Sequence, residues 1–86
     1  MIHHLKSVPV NFNAFNRGRK GELRKRDRRF TVGDVVVLHE FIPRYGLPNP
    51  GYTGRKKNRW ITDIQTAPVG FCYLSYGKIA EGVKFR

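Results

Sequence analysis

Apolar residues recur along this chain at two periods, and each change of period marks an element. The opening IHHLKSV, residues 2–8, is rich in β-branched and large residues and predicts a short strand. The period then lengthens: Val8, Phe12 and Phe15 stand at i, i+4 and i+7, the spacing of one helix face. Pro9 suits the first turn of that helix, where a missing N–H costs nothing, and Gly18 is placed to stop it. GELRKRDRRF, residues 21–30, alternates in part and is predicted to be extended at least through Arg24. A Gly33–Asp34 turn follows, and then VVVLHEFI, in which Val35, Val37 and Phe41 alternate with Val36, Leu38 and Ile42. With both faces apolar, this strand is predicted to be buried on both sides or to lie in a small closed barrel. Residues 43–58 contain three prolines and three glycines and read as a long loop, of the kind that is usually functional or mobile. RWITDI and FCYLSYGKI, residues 59–64 and 71–79, predict two further strands. The fold class expected is α+β or mainly β, a small β-barrel carrying one short helix.

Composition bounds this picture more than it changes it. Eighty-six residues suit a single domain over 1–86 with a modest core. A content of 40% hydrophobic and 13% aromatic residues is that of a folded chain. No apolar run is long enough to cross a bilayer and no signal-peptide pattern opens the chain. Cys72, the single cysteine, excludes an internal disulfide and fits a reducing compartment, so a cytoplasmic location is expected.

Charge changes the picture substantially. The net charge is +11 and the pI about 10.6, which points to a polyanionic partner, nucleic acid ahead of acidic proteins or membrane surfaces. Residues 17–29 hold eight basic and two acidic residues; residues 44–59 hold five basic and no acidic ones. In a strand, Lys20, Glu22 and Arg24 share one face, with Gly21 and Leu23 on the other. Glu22 between two cations can lock them in fixed rotamers that aim their free donors at a phosphate or base edge. The same spacing also describes an exposed ion-pair ladder of little energetic consequence. Lys25, Arg26, Arg28 and Arg29 surround Asp27, a residue suited to a turn in which its carboxylate accepts backbone N–H groups. That stretch reads as a phosphate clamp or as a solubility patch. In GYTGRKKNR, Tyr52 and Thr53 stand beside Arg55, Lys56, Lys57 and Arg59, a stacking ring with charges for a single-stranded backbone. Alternatively, Tyr52 anchors the loop to the core.

Several motifs together resemble a known family. They are His4–Lys6, Phe12 and Phe15, Gly18–Lys20, the run Glu22–Asp34, Glu40 with Phe41, Tyr52–Arg55, and Gly70–Leu74, spread over about nine-tenths of the chain. In this pattern the chain resembles small proteins with an ASCH domain, a relative of the PUA domain, and in particular an uncharacterised group from bacteria and phages. The resemblance implies a PUA-like pseudo-barrel of five or six strands with a helix at its mouth. It implies a cleft near the helix and the Gly-x-Lys…Glu-x-Arg segment that engages RNA or a nucleotide-like ligand. Were the chain phage-encoded, it would act in the host cytoplasm. Some ASCH proteins hydrolyse acetylated cytidine with Lys, Thr and Glu residues. Here one residue fewer separates Lys20 from Glu22, which implies a bulge or register change, and Gly21 stands where that chemistry has its Thr. The set is incomplete, which turns the expectation from catalysis towards binding.

The remaining candidates are weaker. His3 and His4, adjacent in a strand, face opposite ways and do not readily chelate one metal, and His39 reads as a core or rim histidine. Neither a metal site nor a cofactor is expected. Cys72, between Phe71 and Tyr73, reads as a small buried hydrophobe. The leading expectation is a monomeric nucleic-acid-binding module, RNA preferred over DNA. The alternatives are a phage accessory protein that docks on an acidic host protein and, last, an amidohydrolase acting on acetylated cytidine.

Overall fold

In the computed structural model, which describes residues 1–43 and 51–79, five strands form one sheet curled into a half-barrel. The elements are β1 (Ile2–Ser7), α1 (Pro9–Ala14) with a 3-10 turn over Phe15–Arg17, β2 (Gly21–Lys25), β3 (Val35–Ile42), β4 (Gly51–Thr66) and β5 (Phe71–Lys78). The strand order is β1-β3-β4-β5-β2, parallel between β1 and β3 and antiparallel elsewhere. Burial in β1 alternates strictly, with His3, Leu5 and Ser7 inward and His4 and Lys6 outward. Pro9 occupies the start of α1, and Gly18, at φ 92°, ends the helical segment in the left-handed region.

The core lies on the inner face of the sheet. Leu5, Phe15, Val36, Leu38, Ile61, Cys72, Leu74 and Tyr76 form one cluster, with Phe12 and Phe15 of the helical segment almost fully enclosed. Cys72 is buried as expected, and burial pushes its thiol above the ordinary value. The prediction that β3 is buried on both faces holds only in part. Val36 and Leu38 face the core, but on the other face Val37 alone is buried while Val35, His39 and Phe41 are half-exposed. No second layer covers that outer face among the described residues.

Two further expectations are corrected. The long loop over 43–58 is not a loop from Gly51 onward: β4 runs for 16 residues and pairs with β3 from Gly51 to Trp60. Its first half has few apolar residues, and cations rather than Leu or Val face the helix rings. Residues 44–50 of that stretch lie outside the described residues. The bulge or register change expected between Lys20 and Glu22 is also absent. Tyr76 N–H donates to Lys20 O, and the β2–β5 ladder then continues without a shift from Gly21 to Lys25. The irregularities lie elsewhere. One is opposite Glu40, where residues 53–55 bulge from β4; the other is at Thr62, between the pairs Ile61–Tyr76 and Asp63–Ser75.

Gly21 has a steric reason to be glycine. A Cβ there would lie 2.5 Å from Leu74 O and 2.8 Å from the Tyr73 ring. Strands β1 and β2 form the two edges of the sheet, and one side chain spans them: Arg24 of β2 donates to Lys6 O of β1 at 2.9 Å.

Candidate functional site

Glu22 is 4% exposed, so its charge must be met inside the fold. Tyr76 O–H donates to Glu22 Oε2 at 2.6 Å, and Arg24 Nε lies 3.0 Å from the same oxygen. That Arg24 contact is an ion pair without an aligned hydrogen bond, since Nε has no hydrogen-bond partner. Burial, and then the adjacent carboxylate, push the Tyr76 phenol far above its ordinary ionisation range. The phenol therefore stays a donor at any physiological pH. Glu22 does organise Arg24, as the alternation predicts. The guanidinium is then committed to Glu22 and to Lys6 O. Lys20 precedes the strand and is exposed, apart from this network.

A second buried carboxylate, Glu40, organises the other end of the sheet. Thr53 Oγ1 donates to Glu40 Oε1 at 2.8 Å, and Arg55 Nη1 lies 3.5 Å from Oε2. Arg55 N–H also donates to Thr53 Oγ1 at 3.2 Å, and Arg55 Nη2 reaches Asn13 Oδ1 of α1 at 3.4 Å. The Thr-Gly-Arg bulge is thus folded over Glu40, with Gly54 at φ 90° making the turn. On β3 and β1, Glu40 pairs with Ser7, whose buried Oγ has no hydrogen-bond partner.

From this bulge, alternate residues of β4 face the helix. Arg55 and Lys57 lie over the Phe12 ring at 5.1 and 4.5 Å, and Arg59 and Arg19 lie 5.9 and 5.6 Å from the Phe15 ring centre. Lys57 also donates to Asn16 Oδ1. Burial lowers the ionisation range of Arg59, which remains cationic. The result is a row of three cations, of which Arg55 is paired with Glu40, Lys57 with Asn16 Oδ1 and Arg59 with its neighbour's carbonyl, Asn58 O. The spacing Arg55, Lys57, Arg59 is visible in the sequence as alternation. The aromatic floor beneath it is not, because Phe12 and Phe15 lie some forty positions earlier.

The two basic segments lie on different strands. Tyr52 pairs with Phe41 at the start of β4, whereas Lys25 pairs with Phe71, next to the Cys72–Thr66 pair that ends it. Lys25, Arg26, Arg28 and Arg29 are all exposed, with Arg28 and Arg29 beside Met1, Ile2 and His3 at the start of β1. Asp27 sits in a bend, yet its carboxylate faces Arg28 Nε at 3.5 Å instead of accepting backbone N–H groups. That capping role falls to Asp34, which accepts from Thr31 N–H at 3.0 Å and meets His3 Nε2 at 2.8 Å and the Met1 ammonium at 3.1 Å. Burial opposes the Asp34 charge, but these three partners outweigh it and hold the carboxyl below its ordinary value. Tyr52 and Lys56 project from the outer face, where His39 meets His4, a pairing across strands that linear spacing does not reveal. Among the described residues, no three His, Cys, Asp or Glu side chains gather where a metal ion could be held. No helix among them is long and apolar enough to cross a membrane.

Comparison with known proteins bears on the ancestry of this arrangement. The family described as a domain of unknown function (DUF3850) matches residues 2–76. An "Uncharacterized 12.9 kDa protein in GpA 3'region" of Escherichia phage P2 is 38% identical over 64 residues, which cover 73% of this chain and 53% of that protein. The chain thus spans about half the length of this curated relative.

Proposed function

The chain belongs to the DUF3850 family, and from its own geometry we propose that it is a monomeric, cytoplasmic nucleic-acid-binding module with a preference for RNA. The observation that carries this reading is the row Arg55, Lys57 and Arg59, fixed over Phe12 and Phe15 at the helix-bearing end of the half-barrel. Cations held in place by rings, carbonyl oxygens and a buried carboxylate lose little side-chain entropy when a polyanion arrives. The exposed set Lys25, Arg26, Arg28 and Arg29, at the end of β2 and just beyond it, adds a second contact with the phosphate backbone. The half-barrel with a helix at one end is compatible with the PUA-like architecture the sequence resembles, and that finer assignment is part of the proposal. A phage relative fits an accessory role, in the host cytoplasm if this chain too is phage-encoded.

The test is binding of labelled single-stranded RNA and DNA across a range of salt. Affinity is expected to fall linearly on logarithmic axes, with a slope shallower by about 0.7 for each phosphate contact removed by Arg28→Ala, Arg29→Ala or Arg59→Ala. Arg24→Ala is not a suitable probe, since Arg24 ties β2 to β1. Absence of binding at low salt would sink the reading. Capture of one acidic host protein that survives nuclease treatment would replace nucleic acid with a protein partner. Release of cytidine from acetylcytidine would require a catalytic set other than Lys20 and Glu22.

A further inference from the structure

The outer face of β1, β3 and β4 holds a cluster of different chemistry. His4 Nδ1 and His39 Nε2 lie 2.9 Å apart, with ring centroids at 5.1 Å. Tyr52, 62% exposed, stands edge-on to His39 and Phe41 at 6.0 and 5.1 Å. Lys6 Nζ lies 4.5 Å from the Phe41 ring centre and 6.0 Å from that of Tyr52, and Lys56 pairs with His39 across the sheet. His4, Leu5, His39 and Tyr52 line a hollow of about 300 Å³.

Among the described residues, the charges around the histidine pair are all positive. Lys6 comes from β1 and Lys56 from β4. The nearest carboxylate along β3, Glu40, turns to the inner face, onto Thr53 and Arg55. Asp34 is engaged by His3 and Thr31. Burial, then His4 and Lys56, hold His39 below its ordinary ionisation range in the free protein. One shared N–H satisfies two neutral imidazoles at 2.9 Å, but a proton added here meets two ammonium groups and, among the described residues, no counterion. An anion arriving with the proton removes that penalty. A divalent cation would meet the same repulsion and would find no third ligand among the described residues.

We propose that His4, His39, Lys6, Lys56 and Tyr52 form a proton-linked subsite for one nucleotide of a bound single strand, its phosphate on the imidazoles and lysines and its base against the Tyr52 ring. This rests on the nucleic-acid reading above and adds its regulation. The ligand binds the protonated pair more tightly, so affinity rises as pH falls, by at most about tenfold per pH unit for each proton taken up.

Two measurements test it. Anisotropy with labelled oligouridylate between pH 5.5 and 8, at constant ionic strength, is expected to show about three- to tenfold tighter binding at pH 6 than at pH 8. His4→Gln and His39→Gln are expected to give flat profiles and to bind more weakly than the unaltered protein at pH 6. If the unaltered protein binds the RNA with a profile as flat as theirs, the subsite is overturned while the nucleic-acid reading stands. Uridine monophosphate, followed through the histidine ring signals by NMR, probes the site without RNA. Saturable shifts of His4 and His39, with raised titration midpoints and no such change with uridine, are expected. Unmoved signals overturn the subsite, as does tight Zn²⁺ binding that displaces the shared proton.

Discussion

Tyr76 donates its phenolic proton to Glu22 Oε2 over 2.6 Å, inside the half-barrel and across 54 positions of sequence. The distance is that of a charge-assisted hydrogen bond, and both groups are more than nine-tenths buried. Phe15 packs against the same ring at 5.8 Å, so the bond links helix, β2 and β5.

Tyr76→Phe keeps the ring and removes the donor, leaving a buried carboxylate with only the poorly aligned Arg24 beside it. The expected loss is about 2–3 kcal/mol of folding stability, measured as a lower urea midpoint at unchanged slope. A change of less than about 0.5 kcal/mol would show that water or rearrangement meets the carboxylate equally well.

Gly21→Ala separates sterics from chain entropy. At a permissive site this substitution stabilises, by about 0.4–1 kcal/mol. Here the added Cβ would meet the backbone oxygen of Leu74 at 2.5 Å, which no side-chain rotation relieves. A loss of about 1–3 kcal/mol is expected instead, with amide exchange accelerated along β2. A neutral or stabilising result in urea unfolding would refute the close packing of β2 on β5.

Asp34 sets an acid limit on stability. Its carboxyl ionises below the ordinary value of about 3.9 in the folded chain, so the unfolded state takes up the proton first. The contribution is fully present above about pH 4 and is lost as pH falls through the folded value. Asp34→Asn is expected to be less stable at pH 7 and to show a flatter decline between pH 4 and 2, read from urea midpoints across that range. An unchanged acid slope in the variant would assign the decline to other groups.

Much of the local structure was legible because it rests on local physics. Pro9, Phe12, Phe15 and Gly18 describe the helix and its end, and the alternation in β1 and the apolar β3 describe strands, all with conventional spacing. The first half of β4 was not legible. Arg55, Lys57 and Arg59 set their charged groups over the Phe12 and Phe15 rings, so this face of the strand has its partner only once the helix is in place. Gly21 illustrates the opposite failure. Beside a family pattern it looks like a lost hydroxyl, yet in the fold it is the residue that lets β2 approach Leu74 and Tyr73.

By itself the sequence determined a small, mostly β, strongly basic chain with one short helix, and it marked Glu22 as the partner of Arg24. These follow from side-chain period, capping chemistry and charge, which act over a few neighbouring residues. Only the tertiary structure decided which distant groups meet: Tyr76 with Glu22, Thr53 and Arg55 with Glu40, and His4 with His39. It also set the two basic segments on different strands, the first on β2 and the stretch after it, the second on β4 against the helix. The physical reason is register. Pairing across the sheet is set by burial of the core face and by bulges at Glu40 and Thr62, and neither is written in the spacing of any one strand.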